Sequence, residues 1–401
     1  MGSTRKRFLA VARNDNDKDG VGVAMTKPLE GLRVLEFTHA VLGPACGLIL
    51  SDLGAEVIRV EPPTGDPTRK LKGFGMGYFP FFNRDKKSIV VDLKDEHGLD
   101  VIYKLLESTD VLIENFAPGT MDRLKLGYDE LASRYPKLVY CQLKGFLPGP
   151  YQHRTALDEV VQMMSGLAYM TGPPGQPLRA GASVIDVTTG MMGAIAVLAA
   201  LRERDQTGKG QLVQSALFET AAFLMGHHMA YSAVSKEPVP PMPARVSAWA
   251  IYHQFETADS QRVFIGVTSD KQWEKFCKAF ERADWLKDAR LKTNNDRITE
   301  REWFLPAVHE MIAKYELADI LVKCEQAGVP YSPIARPEDL FDDAQLNQGN
   351  SLIATTLPNG DVTKLPRLPF RLEGQEDSPD AGLPEIGEHT QEILRELGLE
   401  L

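Results

Sequence analysis

The feature that most constrains the fold is a regular alternation of short apolar runs with helical stretches over the first third of the chain. LRVLEF from Leu32, EVIRVE from Glu56, SIVVDLK from Ser88, DVLIEN from Asp110 and LVYCQLKGF from Leu138 are strand-length runs. GPACGLILSDLGA, HGLDVIYKLLE and a predicted helix over Met121 to Arg134 lie between them, with apolar residues at three- and four-residue spacing. Strand–helix–strand spacing of this kind implies an α/β fold with a parallel, doubly wound sheet.

From Leu157 to Ser235 the pattern turns helical, in DEVVQMMSGLAYM, TTGMMGAIAVLAALRER and VQSALFETAAFLM, and these helices are expected to cover the sheet. SKEPVPPMPARVS is proline-rich and reads as a linker. Ala248 to Pro330 then forms a small α+β unit, with strands YHQFET and RVFIGV and helices over Lys271 to Glu281 and Glu300 to Tyr315. Past Ile334, strand and turn signals lead to a last helix, HTQEILRELGL. Residues 1–27 are assigned to a disordered leader, since MGSTRKRFLAVARNDNDKDGVGVA is polar and has no apolar core segment.

Charge and cysteine usage exclude several classes. With 45 basic and 55 acidic residues the net charge is -10, the wrong sign for a chain that lives on phosphate backbones, so no nucleic-acid partner is expected. The four cysteines are far apart and form no C-x-x-C pair, and no H-E-x-x-H is present, so no metal site is expected and a reducing cytoplasmic setting is the default. The longest apolar run, Met191 to Leu201, is shorter than the roughly 18 residues of a membrane span, so no membrane partner is expected.

Each candidate functional residue has two readings. The first strand-to-helix turn, THAVLGPACG, contains only Gly43 and Gly47 and so lacks the G-x-G-x-x-G of a dinucleotide site. Glu61 ends the second strand, where an acid can meet a ribose hydroxyl, a reading disfavoured here because the glycines are missing. GFGMGYF, from Gly73, has no expected helix behind it and reads as a mobile loop. Asn115 is a turn residue or a crevice ligand, and Arg123 a solvated helix charge or a phosphate partner. Asp158 follows Thr155 in a capping-box pattern and reads as a cap. Asp186 is either an N-cap or a carboxylate nucleophile, set among glycines beside helix N-terminal amides that would stabilise an oxyanion.

Several ordered motifs then point to one family. PLEGLRVLEFTHAVLGPACGLILSDLGAEVIRVEPP, N-x-x-KKS-x-x-x-DLK from Asn83 to Lys94, DVLIENFAPG, TGKGQ from Thr207, GVPYSPI and the terminal P-x-I-G-E-H-T together resemble the class III CoA-transferases. The resemblance runs from about Pro28 to Leu401. It implies a Rossmann-like large domain formed by residues 28–235 and 334–401, a small domain with linkers over 236–333, and an interlocked homodimer. It also implies an enzyme that moves CoA from an acyl-CoA donor such as succinyl-CoA to a small carboxylic acid, a dicarboxylic one in the first place, through an aspartyl anhydride and an aspartyl-CoA thioester, with coenzyme A thioester as substrate and no permanently bound cofactor.

In that family the Asp of G-x-x-x-x-D-x-x-T-G is the nucleophile, and Gly181, Asp186, Thr189 and Gly190 supply the pattern. The resemblance assigns CoA contacts to His39, Val41, Leu42, Val91, Lys94, Asn115, Phe116, Ala117, Arg123, Thr155, Leu157 and Asp158. Val41 and Leu42 stand where some members have Gln and Ala, and Pro62 where some have a basic residue. A related branch, the 2-methylacyl-CoA racemases, carries G-H-D where this chain has Ala156, Leu157 and Asp158; racemisation is the alternative reading and lacks its second base. The glycine-rich flap of the oxalate enzymes has no counterpart in ARVSAWAIYHQFETADSQ, which argues against oxalate, and Arg245 or His253 there is a candidate for pairing a distal carboxylate.

Overall fold

A computed structural model describes residues 27–245, 247–373 and 378–399. The predicted leader lies, apart from Lys27, outside the described residues. The chain forms two compact units. One comprises the described parts of Met1–Leu143, Gly190–Gln214 and Ile353–Leu401, the other Lys144–Thr189 and Ser215–Leu352.

A mixed α/β architecture with a six-stranded sheet is observed, ordered β3-β2-β1-β4-β5-β6. The strands are β1 (Arg33–Phe37), β2 (Glu56–Glu61), β3 (Lys87–Val90), β4 (Val111–Glu114), β5 (Val139–Lys144) and β6 (Leu212–Ala216). The β1·β2, β2·β3, β1·β4 and β4·β5 pairings are parallel. The order reverses at β1, which leaves a crevice beyond the carboxyl ends of β1 and β4. Leu35, Phe37, Ile58, Ile89, Leu112 and Tyr140 are buried in the core of this unit, together with helix residues Ile102, Leu105 and Ile393.

The C-terminal segment closes β3. Ser88 N donates to His389 Nδ1 (3.2 Å) and Val90 N to Thr390 Oγ1 (3.0 Å), so two amides an edge strand would leave open are taken up by tail side chains, and Gly387 N of the tail donates in return to Ser88 Oγ (2.9 Å). The predicted helix over Met121 to Arg134 is two helices, Thr120–Arg123 and Tyr128–Arg134. Lys125 breaks it with φ 58°, a left-handed turn that no periodicity signals. GFGMGYF is not a free loop: a 3₁₀ turn over Gly73–Gly77 runs into the short helix Tyr78–Phe82.

Val184–Thr207 is a 24-residue helix, long and apolar enough by composition alone to cross a membrane, which the shorter run seen in the sequence does not anticipate. It is packed along one side, at Gly190 and Gly193, while Met191 and Ile195 stay exposed. A Cβ on Gly190 would lie 2.8 Å from Leu42 O, and one on Gly193 2.6 Å from Leu143 Cδ2, so both allow close approach to the first unit's own core.

In the second unit β7 (Tyr252–Glu256), β8 (Arg262–Gly266) and β9 (Tyr331–Pro333) form an antiparallel sheet. Asp270–Ala279, Arg301–Ile312 and Leu317–Ala327 are its helices, and Phe255, Val263, Ile265, Trp273, Phe276 and Phe304 fill its core.

Candidate active site

Asp186 sits in the first turn of the Val184–Thr207 helix, not at its N-cap. That turn is held by another carboxylate. Asp158 Oδ2 accepts from Ile185 N (2.8 Å) and Asp186 N (3.0 Å), while Asp158 Oδ1 accepts from Gln162 Nε2 (2.5 Å). Asp158 therefore caps a helix 27 residues downstream rather than its own, which corrects the capping-box reading. Gln162 is fully buried, and its Oε1 accepts from Ala180 N (2.8 Å), so one side chain ties the loop before Asp186 to the Asp158 helix.

This arrangement alters what Asp186 can do. Burial, then repulsion from Asp158, raises its pKa to about 7, with Arg179 acting in the opposite direction. Arg179 Nη2 lies 3.8 Å from Asp158 Oδ1 and Nη1 lies 3.9 Å from Glu159. A carboxylate poised near neutrality is more basic than a free aspartate and a better nucleophile when ionised. The oxyanion role foreseen for the helix amides is not met. Val184 N and Val187 N bond to Ala182 O and Ser183 O, and the two amides between them are taken by Asp158. Thr189, one turn on, is fully buried and its Oγ1 has no partner.

The second group of candidates meets at the strand ends of the first unit. A cleft of about 500 Å³ is lined by Thr38 and His39 beyond β1, Glu61 and Pro62 at the end of β2, Val91 to Lys94 beyond β3, and Phe116 and Thr120 beyond β4. His39 stacks on Phe116 at 5.9 Å. Partial burial, then the charge of Arg59, lowers the His39 pKa, which favours a neutral ring. Asn115 clamps that turn: its Oδ1 accepts from His39 N and its Nδ2 donates to His39 O, both at 3.0 Å. The clamp supports Ala40, whose φ of 61° costs a residue with a Cβ about 1–2 kcal/mol.

Behind the cleft lies a buried ionic network that single-residue reasoning passed over. Glu36 accepts from Arg59 (2.8 Å), Lys86 (2.8 Å) and Thr38 Oγ1 (2.6 Å), and Arg59 Nη2 donates to Thr38 O (2.9 Å). Arg59 also pairs with Asp66. A buried charge must be paired, so Glu36 within the apolar run LRVLEF was the available signal. Burial lowers the Lys86 pKa to about 8, against the opposing pull of Glu36. Glu61 is not free for a ribose: its oxygens accept from Ser88 Oγ (2.7 Å), Asp66 N (2.7 Å) and Arg69 (2.5 Å).

Other predicted contacts are not among the residues that line the cleft, although Arg123 bonds to one that is. Val41 and Leu42 start the Leu42–Asp52 helix with their side chains buried in the core. Arg123 is exposed, its Nη2 donating to Thr120 Oγ1 (2.9 Å), and Ala117 is exposed in the adjoining turn. Thr155 and Leu157 are exposed in the second unit.

The model of CoA-transferase family III matches residues 29–390, and the chain belongs to that family. It is 31% identical over 398 residues to the succinyl-CoA:glutarate CoA-transferase of Mus musculus, covering 98% of this chain and 90% of that one. It is 34% identical over 378 residues to the acetyl-CoA:oxalate CoA-transferase of Acetobacter aceti, covering 92% and 95%. A CAIB/BAIF family protein from Brucella suis shares the fold with a TM-score of 0.83 and 32% identity, covering 93% of this chain and all of that one.

Proposed function

We propose that the protein transfers CoA from an acyl-CoA such as succinyl-CoA to a small dicarboxylic acid, with Asp186 as the nucleophile. One observation carries the reading: a half-buried carboxylate with a pKa of about 7, at the family's D-x-x-T-G position, whose peptide is fixed by Asp158. Relatives that act on glutarate and oxalate support a dicarboxylate acceptor.

In this scheme Asp186 attacks the donor thioester carbonyl and expels CoA thiolate, forming an aspartyl–acyl anhydride. The thiolate attacks the aspartyl carbonyl, giving an aspartyl-CoA thioester and releasing the donor acid. The acceptor carboxylate attacks that thioester and expels the thiolate again. The thiolate then takes the acceptor's acyl group from the second anhydride, and Asp186 returns as a carboxylate. No bond energy is lost to water, provided the site excludes it.

The cleft at the ends of β1–β4 suits the CoA moiety, with Lys94 at its rim for a phosphate. The strand order suits a Rossmann-like large domain. An interlocked homodimer is supported by large apolar side chains left open on the helices Leu217–Leu224 and Gly226–Ser235, where Phe223 is 74% and Val234 86% exposed. A cytoplasmic location fits four free cysteines. The racemase alternative gains nothing: Leu157, at the position of the racemase histidine, is 66% exposed and cannot carry a proton.

The test is to mix the protein with succinyl-CoA in the absence of an acceptor, quench, and measure intact mass. An adduct of CoA localised to Asp186, lost in Asp186→Asn, is expected. An unmodified Asp186 under turnover conditions would refute the covalent route.

A further inference from the structure

The small-unit sheet carries a second cleft, of about 480 Å³, lined by Arg245, Arg262, Arg301, His253 and His309 together with Tyr252 and Phe264. Its charge is unlike that of its surroundings. Between Arg245 and Arg336, Arg282, Arg290, Arg297 and Arg336 each pair with an aspartate, at 2.6, 2.8, 2.7 and 3.0 Å. Among the described residues, Arg245, Arg262 and Arg301 have no carboxylate within 4.0 Å. All three line the same cleft, in a chain of net charge -10.

The cleft is also built. Arg301 is half-buried, and its Nη1 donates to Ala250 O (3.1 Å) and Trp249 O (3.4 Å), which fixes the guanidinium while leaving its other donors open. His253 Nδ1 meets Gln254 O at 2.8 Å, and the His253 ring packs edge-on against His309 at 5.3 Å. Tyr252 and Phe264 meet edge to face at 4.7 Å and give one wall apolar character. Glu256 lies opposite Arg262 in the strand register and is the one acid of the lining, outside ion-pairing distance.

We propose that this cleft is a binding site for a short-chain dicarboxylate. Guanidinium groups take its two carboxylates in the forked geometry that suits them, and its methylenes lie on the rings of Tyr252 and Phe264. Three cations exceed the charge of a monocarboxylate. The aromatic wall disfavours inorganic phosphate, which has no apolar part to place there.

The proposal needs no step of the transferase chemistry, so it is tested by binding. Titration calorimetry uses the full-length Asp186→Asn variant without acyl-CoA, with glutarate and inorganic phosphate as probes. Glutarate is expected to bind, with affinity falling about tenfold in Arg301→Gln and in the surface variant Arg262→Gln, and phosphate is expected to bind at least about tenfold more weakly than glutarate. The site is refuted by glutarate binding unchanged in both variants, by no binding up to about 10 mM, or by phosphate binding as tightly. Exchange kinetics on the active enzyme then separate the ligand's sources. A raised KM for the acid with kcat kept in Arg262→Gln marks the reacting acceptor, while an unchanged KM beside weakened binding marks an effector acid; both retain the site. An enzyme that binds glutarate yet exchanges no CoA would sink the transferase reading alone.

Discussion

At the scale of single residues, Asp186 is defined by what surrounds it. The motif spacing marked it, and the pattern near Thr155 marked Asp158, but neither said that the two carboxylates share a helix start. Gln162 was accessible in principle, one helical turn after Asp158; Arg179 was not, because nothing local couples it to a residue 21 positions away. A nucleophile must be ionised, so kcat/KM is expected to rise with pH through an apparent pKa near 7 and then level off; a flat profile from pH 5 to 9 contradicts this. Asp158→Asn removes the repulsion and moves that limb to lower pH, while its amide offers one acceptor oxygen to the three N–H donors the carboxylate serves, and the disturbed helix start lowers the plateau about 10²-fold. The raised pKa also carries a stability consequence. The folded value lies above the unfolded one, so ionising Asp186 penalises folding, from about pH 4 upward and fully above 7. Asp186→Asn should therefore be more stable than wild type by about 2 kcal/mol at pH 8, with the gap closing toward pH 4, as read by denaturant titration.

At the scale of elements, the strands were legible as short, mostly apolar runs set between helical stretches, and the sheet's parallel sense followed from their spacing. What escaped was decided by contacts distant in sequence. The helix expected over Met121 to Arg134 is cut by a left-handed Lys125, and β3 is closed by the tail around His389. The Val184–Thr207 helix shows the same dependence. Its apolar face gave the helix, while Gly190 and Gly193 set how near it comes to Leu42 and Leu143. A Cβ at position 190 would press on backbone atoms, which cannot swing aside. Gly190→Ala is expected to lose about 1–3 kcal/mol in chemical denaturation; an unchanged midpoint would show that this packing is not tight.

At the scale of the whole molecule, a soluble monomer rarely leaves Phe223, Met229 and Val234 open together on neighbouring helices. Light scattering should give twice the 44.4 kDa chain mass, and Phe223→Asp with Val234→Asp should lower it; a wild-type monomer at micromolar concentration contradicts the dimer. The family could be read from ordered motifs spread over nearly the whole chain, yet the proposed chemistry rests on one carboxylate. The most direct measurement mixes the enzyme with succinyl-CoA and a panel of carboxylic acids and follows acyl-CoA species by mass spectrometry, with Asp186→Asn alongside. New dicarboxylyl-CoA is expected in the wild type, with its loss in a variant that still binds acyl-CoA. Undiminished exchange in Asp186→Asn, or deuterium uptake at the α-carbon of a 2-methylacyl-CoA with no exchange at all, would contradict it.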